Sequence, residues 1–128
     1  MRAAALILAV MGLAACRDET LQLPSGLVAE RVETLVEDQP DGERWLILRV
    51  LAPGLADRPV SAAESAADTA ALCREWGLEA ANESEADPTQ VVVQMMSTRV
   101  ERGQPAPGVT QVFAGYRLED GACIWEDF

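Results

Sequence analysis

The sequence predicts an α+β domain behind an N-terminal signal peptide: one helix packed on a mostly antiparallel sheet, in the order β-β-α-β-β-β. Three observations carry this reading. Apolar, β-branched runs near residues 28–37, 44–52 and 90–100 are separated by clusters of Gly, Pro and Asp, as strands are. A single alanine-rich stretch opens on Ser61 and Glu64, which have the spacing of a helix capping box. The apolar stretch Ala3 to Gly12 is too short to span a bilayer, which takes about 20 residues as a helix, but it has the length of a signal-peptide core.

Arg2 supplies a short positive region before that stretch, and the run closes on Leu13, Ala14, Ala15 and Cys16. This series resembles a bacterial lipobox, in which cleavage precedes the cysteine and the cysteine is acylated. Each buried methylene contributes about 0.8 kcal/mol, so several chains on Cys16 anchor stably where one chain is marginal. The chain then divides into a lipoprotein-type signal peptide at 1–15, a short tether at 16–26 and a single α+β domain at 27–128. Arg17 rather than aspartate follows the cysteine. By analogy with enteric sorting this points to the periplasmic face of the outer membrane, with the inner membrane as the alternative.

In the domain, Val28 to Glu37 reads as a half-exposed strand, with Val28, Val32, Thr34 and Val36 on one side and Ala29, Arg31, Glu33 and Glu37 mostly on the other. The turn cluster Asp38 to Gly42 makes it a hairpin with the nearly continuous apolar strand Arg44 to Ala52. The helix starts at Ser61 and runs to about Trp76, where Gly77 is placed to terminate it. Ala62, Ala66, Ala70 and Cys73 recur at intervals of three and four and form a narrow inward stripe. Ala81 to Thr89 reads as an acidic loop, and Gln90 to Val100 as a central strand covered on one side by the helix. After a proline-interrupted loop, two strands flank Glu119, Asp120 and Gly121, a hairpin signal.

Composition excludes several classes. Ten basic and twenty-one acidic residues give a formal charge of −11, which repels phosphate backbones, so no nucleic-acid partner is expected. The chain has no histidine, the commonest general base and metal ligand, so no metal and no other cofactor is expected. It also lacks a glycine-rich phosphate loop and a nucleophile elbow. The acids Glu83, Glu85 and Asp87, and Asp38, Asp41 and Glu43, read as solvated loop residues rather than a calcium site.

With Cys16 assigned to lipid, Cys73 and Cys123 remain as one pair in an oxidising compartment, and cysteine arithmetic predicts a disulfide between them. A buried free thiol or a metal ligand is the alternative. The hairpin from Pro105 to Phe128, with its series Tyr116, Arg117, Asp120, Gly121, Cys123 and Trp125, together with the helical Cys73, resembles a family of small secreted alphaproteobacterial proteins of the rhodobacter kind, catalogued as a domain of unknown function. The resemblance supports the disulfide and a periplasmic address. It carries over no catalytic residue.

Tyr116, Arg117 and Trp125 are the candidate binding residues, since aromatics and arginine dominate binding hot spots. Their competing role is as core aromatics beside the disulfide, and an exposed ring favours recognition. The expectation is a non-enzymatic lipoprotein whose partners are the membrane, through its anchor, and another envelope protein. An acidic inhibitor of a basic target such as a lysozyme is the second reading, and a hydrolase built on a carboxylate pair the third.

Overall fold

The computed structural model describes residues 19–127; the signal peptide, Cys16 and the start of the tether lie outside them. Six strands form one sheet in chain order: β1 (Thr20–Gln22), β2 (Val28–Asp38), β3 (Arg44–Leu51), β4 (Gln90–Met96), β5 (Gln111–Glu119) and β6 (Ala122–Glu126). Between β3 and β4 lie a 3-10 turn at Pro53–Ala56 and a helix built of α1 (Ala62–Leu72), a π-helical turn (Cys73–Gly77) and α2 (Leu78–Glu83). The α+β class stands, with one helix on a sheet. The order gains a strand ahead of the expected first one. Residues read as tether supply β1, paired antiparallel with β2 from Thr20 opposite Glu30 to Gln22 opposite Val28, and Leu23, which is buried in the core.

The sheet is mixed because of where the helix sits. Turns, or between β4 and β5 the loop at 97–110, reverse the chain at the other junctions, but the helix carries it back to the end where β3 began. β4 therefore runs parallel to β3, from Trp45 opposite Gln90 to Leu51 opposite Met96.

The helix begins as expected. Ser61 Oγ accepts the Glu64 amide at 3.1 Å, and the Glu64 carboxylate accepts the Ser61 amide at 3.2 Å. Such a cap contributes about 1 kcal/mol. It does not end at Gly77, whose φ of −68° and ψ of −46° are helical, and the chain stays helical to Glu83. The glycine has another reason to be there: a Cβ would lie 3.0 Å from Val91 Cγ1, so its absence lets the helix approach β4 closely. The π turn at this approach adds a residue to one turn and shifts the buried side of the helix. Thr69, Leu72, Cys73, Trp76 and Ala80 face inward, while Ala62 and Ala66 of the expected alanine stripe are exposed. Ala81–Glu83, expected as loop, extend the helix.

Leu46, Leu48, Val50, Val91, Val93, Met95, Ala114 and Tyr116 pack under the helix against Leu72 and Trp76. In β2 a bulge between Arg31 and Glu33 changes the phase of the alternation, so no face collects the valines. Ala29 is buried and Val28 and Val36 are exposed, the reverse of the sides expected. The second face of the sheet is crossed by arginines. Arg102, from the loop at 97–110, donates to both carboxylate oxygens of Glu37 at 2.8 and 2.9 Å. Arg49, itself buried, donates to Gln94 Oε1 at 3.2 Å, to the Glu33 carboxylate and to the Val100 carbonyl. The hydrogen bond from Arg102 holds the Glu37 carboxyl below its ordinary value, against the opposing effect of partial burial.

Candidate functional site

The last hairpin is shaped by its turn. Asp120 and Gly121 both take left-handed backbone, with φ of 49° and 74°, which is the two-residue turn whose twist matches that of the strands it joins. The register then follows: Glu119 faces Ala122, Leu118 faces Cys123, Arg117 faces Ile124 and Tyr116 faces Trp125. Alternation sends Tyr116, Leu118, Cys123 and Trp125 to the helix side of the sheet, and Arg117, Ile124 and Glu126 to the other.

On the helix side Cys123 meets Cys73 in a disulfide, with the Cα atoms 6.4 Å apart, so the pairing expected from the cysteine count is present. Tyr116 is buried, and its hydroxyl lies 2.8 Å from Thr69 Oγ1. Thr69 spends its own proton on the helix carbonyls of Ser65 or Ala66, at 2.9 and 3.3 Å, so the tyrosine is the donor in this pair. Burial raises the pKa of Tyr116 above its ordinary value, against the charge of Arg74, which pulls the other way.

The three candidate binding residues thus separate. Tyr116 belongs to the core. Arg117 lies on the opposite face, held between Glu119 at 3.0 Å and Glu126 at 2.7 Å. Trp125 faces Tyr116 across the strands, yet is 59% exposed, the most exposed of the large apolar side chains described. Two residues that sequence reasoning did not single out share its end of the sheet: Phe113 is 48% and Ile124 39% exposed. The signal for Ile124 was its place in the last strand, where a sheet edge leaves side chains uncovered.

β6 ends the sheet among the described residues. In a two-residue hairpin the residues flanking the turn bond each other, and bonded positions alternate from there. Ala122, Ile124 and Glu126 therefore spend their backbone groups on β5, while the N–H and C=O of Cys123 and Trp125 point outward from the edge. Glu119 and Asp120 stand at one end of this edge, Glu126 and Asp127 at the other. The far edge of the sheet differs. Beyond Arg31, β2 has no partner strand on its outer side among the described residues, but it carries Glu33, Glu37 and Asp38 and the bulge, devices that discourage pairing.

Acidic residues also line a surface cleft of 500 Å³ that includes Glu43, Asp87, Arg117 and Glu119. Among the described residues no group of three or more Cys, Asp or Glu side chains is placed to hold a metal ion, and no helix is long and apolar enough to cross a membrane. Cys16 lies outside the described residues.

No curated protein and no solved structure matches the chain. A family model, described as a family of unknown function (DUF6497), matches residues 5–128. The match takes in nearly the whole sequence, including the hairpin and both cysteines of the disulfide, and the chain belongs to this family.

Proposed function

We propose that the protein is an envelope lipoprotein, acylated on Cys16 and held at the periplasmic face of the outer membrane, that acts by binding another protein and not by catalysis. The observation that carries the reading is the exposure of Trp125. An indole left 59% in solvent forgoes most of the stabilisation its burial would bring, and aromatic side chains placed this way are the commonest anchors of protein interfaces. Ile124 and Phe113 leave further apolar surface exposed on the opposite face of the same hairpin. The anchor sets where the surface is presented, since few residues separate Cys16 from β1. The acids at both ends of β6 favour a second reading, an acidic inhibitor of a basic protein; the captured partner would then be an enzyme that loses activity on binding.

The test is site-specific photocrosslinking in native membranes, with the crosslinker at position 125 and, as control, at the exposed helical position 79. The expected result is one discrete adduct from position 125, absent from position 79 and diminished by Cys16→Ser. The same adducts from both positions, or none from 125, would remove the reading.

A further inference from the structure

Resting on the interaction reading above, we propose that β6 is a docking edge: an extended segment of another protein, apolar at its centre and flanked by basic residues, adds to it as a seventh strand. The backbone supplies the first reason. Cys123 and Trp125 present their N–H and C=O groups outward, enough for a short ladder, and main-chain bonds of this kind give affinity in strand addition. The side chains supply the second. Trp125 on the helix side and Ile124 on the other are both exposed, so a strand laid along the edge gains an apolar neighbour on each face. Alternate residues of the added strand would lie beside the indole and beside the isoleucine.

Charge decides the occupant. Glu119 and Asp120 flank one end of β6 and Glu126 and Asp127 the other; Arg117 stands among them on the face away from the helix, and Arg74 lies on the helix side. A second copy of this chain is a poor fit. Antiparallel pairing of two β6 strands about Ile124 sets Asp127 of each against Gly121 of the other, next to Asp120, so like charges meet at both ends. A strand with Lys or Arg on either side of an apolar centre meets opposite charge at both ends instead, and the chain's net charge of −11 steers such a segment in. The β2 edge does not compete, because its acids sit within the strand, at Glu33, Glu37 and Asp38, where apolar contacts would be needed.

The experiment uses a synthetic peptide of alternating valine and threonine flanked by two arginines on each side, titrated to millimolar concentration into the isotopically labelled protein while backbone amide spectra are recorded. The expected result is shifts confined to β6 and the neighbouring turn of the helix. The same core flanked by glutamates should bind about tenfold more weakly, about 1.4 kcal/mol. N-methylation of alternate peptide residues should abolish the shifts in one phase and spare them in the other, because an added strand turns only every second amide toward the edge. Equal binding of the two peptides, insensitivity to the phase of N-methylation, shifts along β2, or no shift at β6 would overturn the proposal. So would a dimer joined through β6 without peptide, which would make the occupant a second copy. A partner crosslinked from position 125 together with a silent peptide titration would remove strand addition and leave the interaction reading in place.

Discussion

Removing the disulfide should expose how much of this small domain's stability comes from a single bond. Cys73 and Cys123 are separated by 50 positions, so their link closes a loop of roughly half the domain in the unfolded chain. The chain-entropy relation gives about 4 kcal/mol for a loop of this size. Domains of this length have a total stability of about 5–15 kcal/mol, so the loss is a large share of the whole. The double variant Cys73→Ala, Cys123→Ser should therefore lower the midpoint of urea unfolding, followed by tryptophan fluorescence, by about 2–3 M for a slope near 1.5 kcal/mol per M. Reduced wild-type protein should behave like the variant. A second readout separates this entropic effect from a packing defect at the buried Cys73 site. β6 is joined to the rest of the fold by β5 and the disulfide, so its amides should lose exchange protection before those of β4. A variant whose midpoint stays within about 0.5 M of wild type would refute the reasoning.

The remaining predictions concern the polar contacts and the exposed ring. The buried carboxylate of Asp68 accepts the Ser25 amide at 3.0 Å and its hydroxyl at 2.6 Å, tying the β1–β2 turn to the helix; Asp68→Ala should cost about 2 kcal/mol in chemical denaturation. Tyr116→Phe removes one hydroxyl bond and should cost about 1 kcal/mol. Because burial raises the Tyr116 pKa, its contribution is present in full below pH 10.0 and is lost as pH rises above that value, a dependence the Phe variant should lack. Arg102→Ala should free the 97–110 loop in hydrogen exchange at a cost of about 0.5–1 kcal/mol, since the pair is partly solvated. The Glu37 pKa is lowered by this pair, so the stabilisation is present above pH 4.5 and is lost as pH falls below it; the variant should flatten that slope in acid unfolding. Trp125→Ala should change stability by no more than about 1 kcal/mol, the ordinary worth of a cross-strand pair, while abolishing the crosslinked adduct formed from a neighbouring edge position.

Features set by neighbours in sequence were legible. The capping box at Ser61 and Glu64 and the turn at Asp120 and Gly121 rest on spacings of a few residues. The disulfide was legible for a different reason: with Cys16 expected to carry lipid, only one pairing was left. What sequence reasoning missed depends on contacts between distant residues. Gly77 reads as a helix stop until Val91 is known to fill the space its side chain would need, and then the missing side chain becomes a packing requirement. The valines of β2 read as one face until the bulge at Arg31 breaks their phase. Nothing in the sequence singles out Arg49 and Arg102, and no local pattern shows that they meet Glu33 and Glu37 across the second face of the sheet.

The candidate surface was half legible, and the missing half explains why the disulfide belongs to it. Composition marked Tyr116, Arg117 and Trp125 together, but strand alternation separates them: Arg117 turns to the other face, and of the two rings Tyr116 sinks into the core while Trp125 is left in solvent. Trp125 and Cys123 are two residues apart, so they point to the same side of β6. Fixing the cysteine to the helix fixes the direction of the indole as well. An edge strand held by one neighbour frays, and a partner that docks on it must meet the entropy of ordering it. A strand bolted to the helix beside its exposed ring has met that cost during folding. On this account reduction of the disulfide weakens binding at β6 more than loss of a peripheral contact would, even under conditions where the rest of the sheet remains folded.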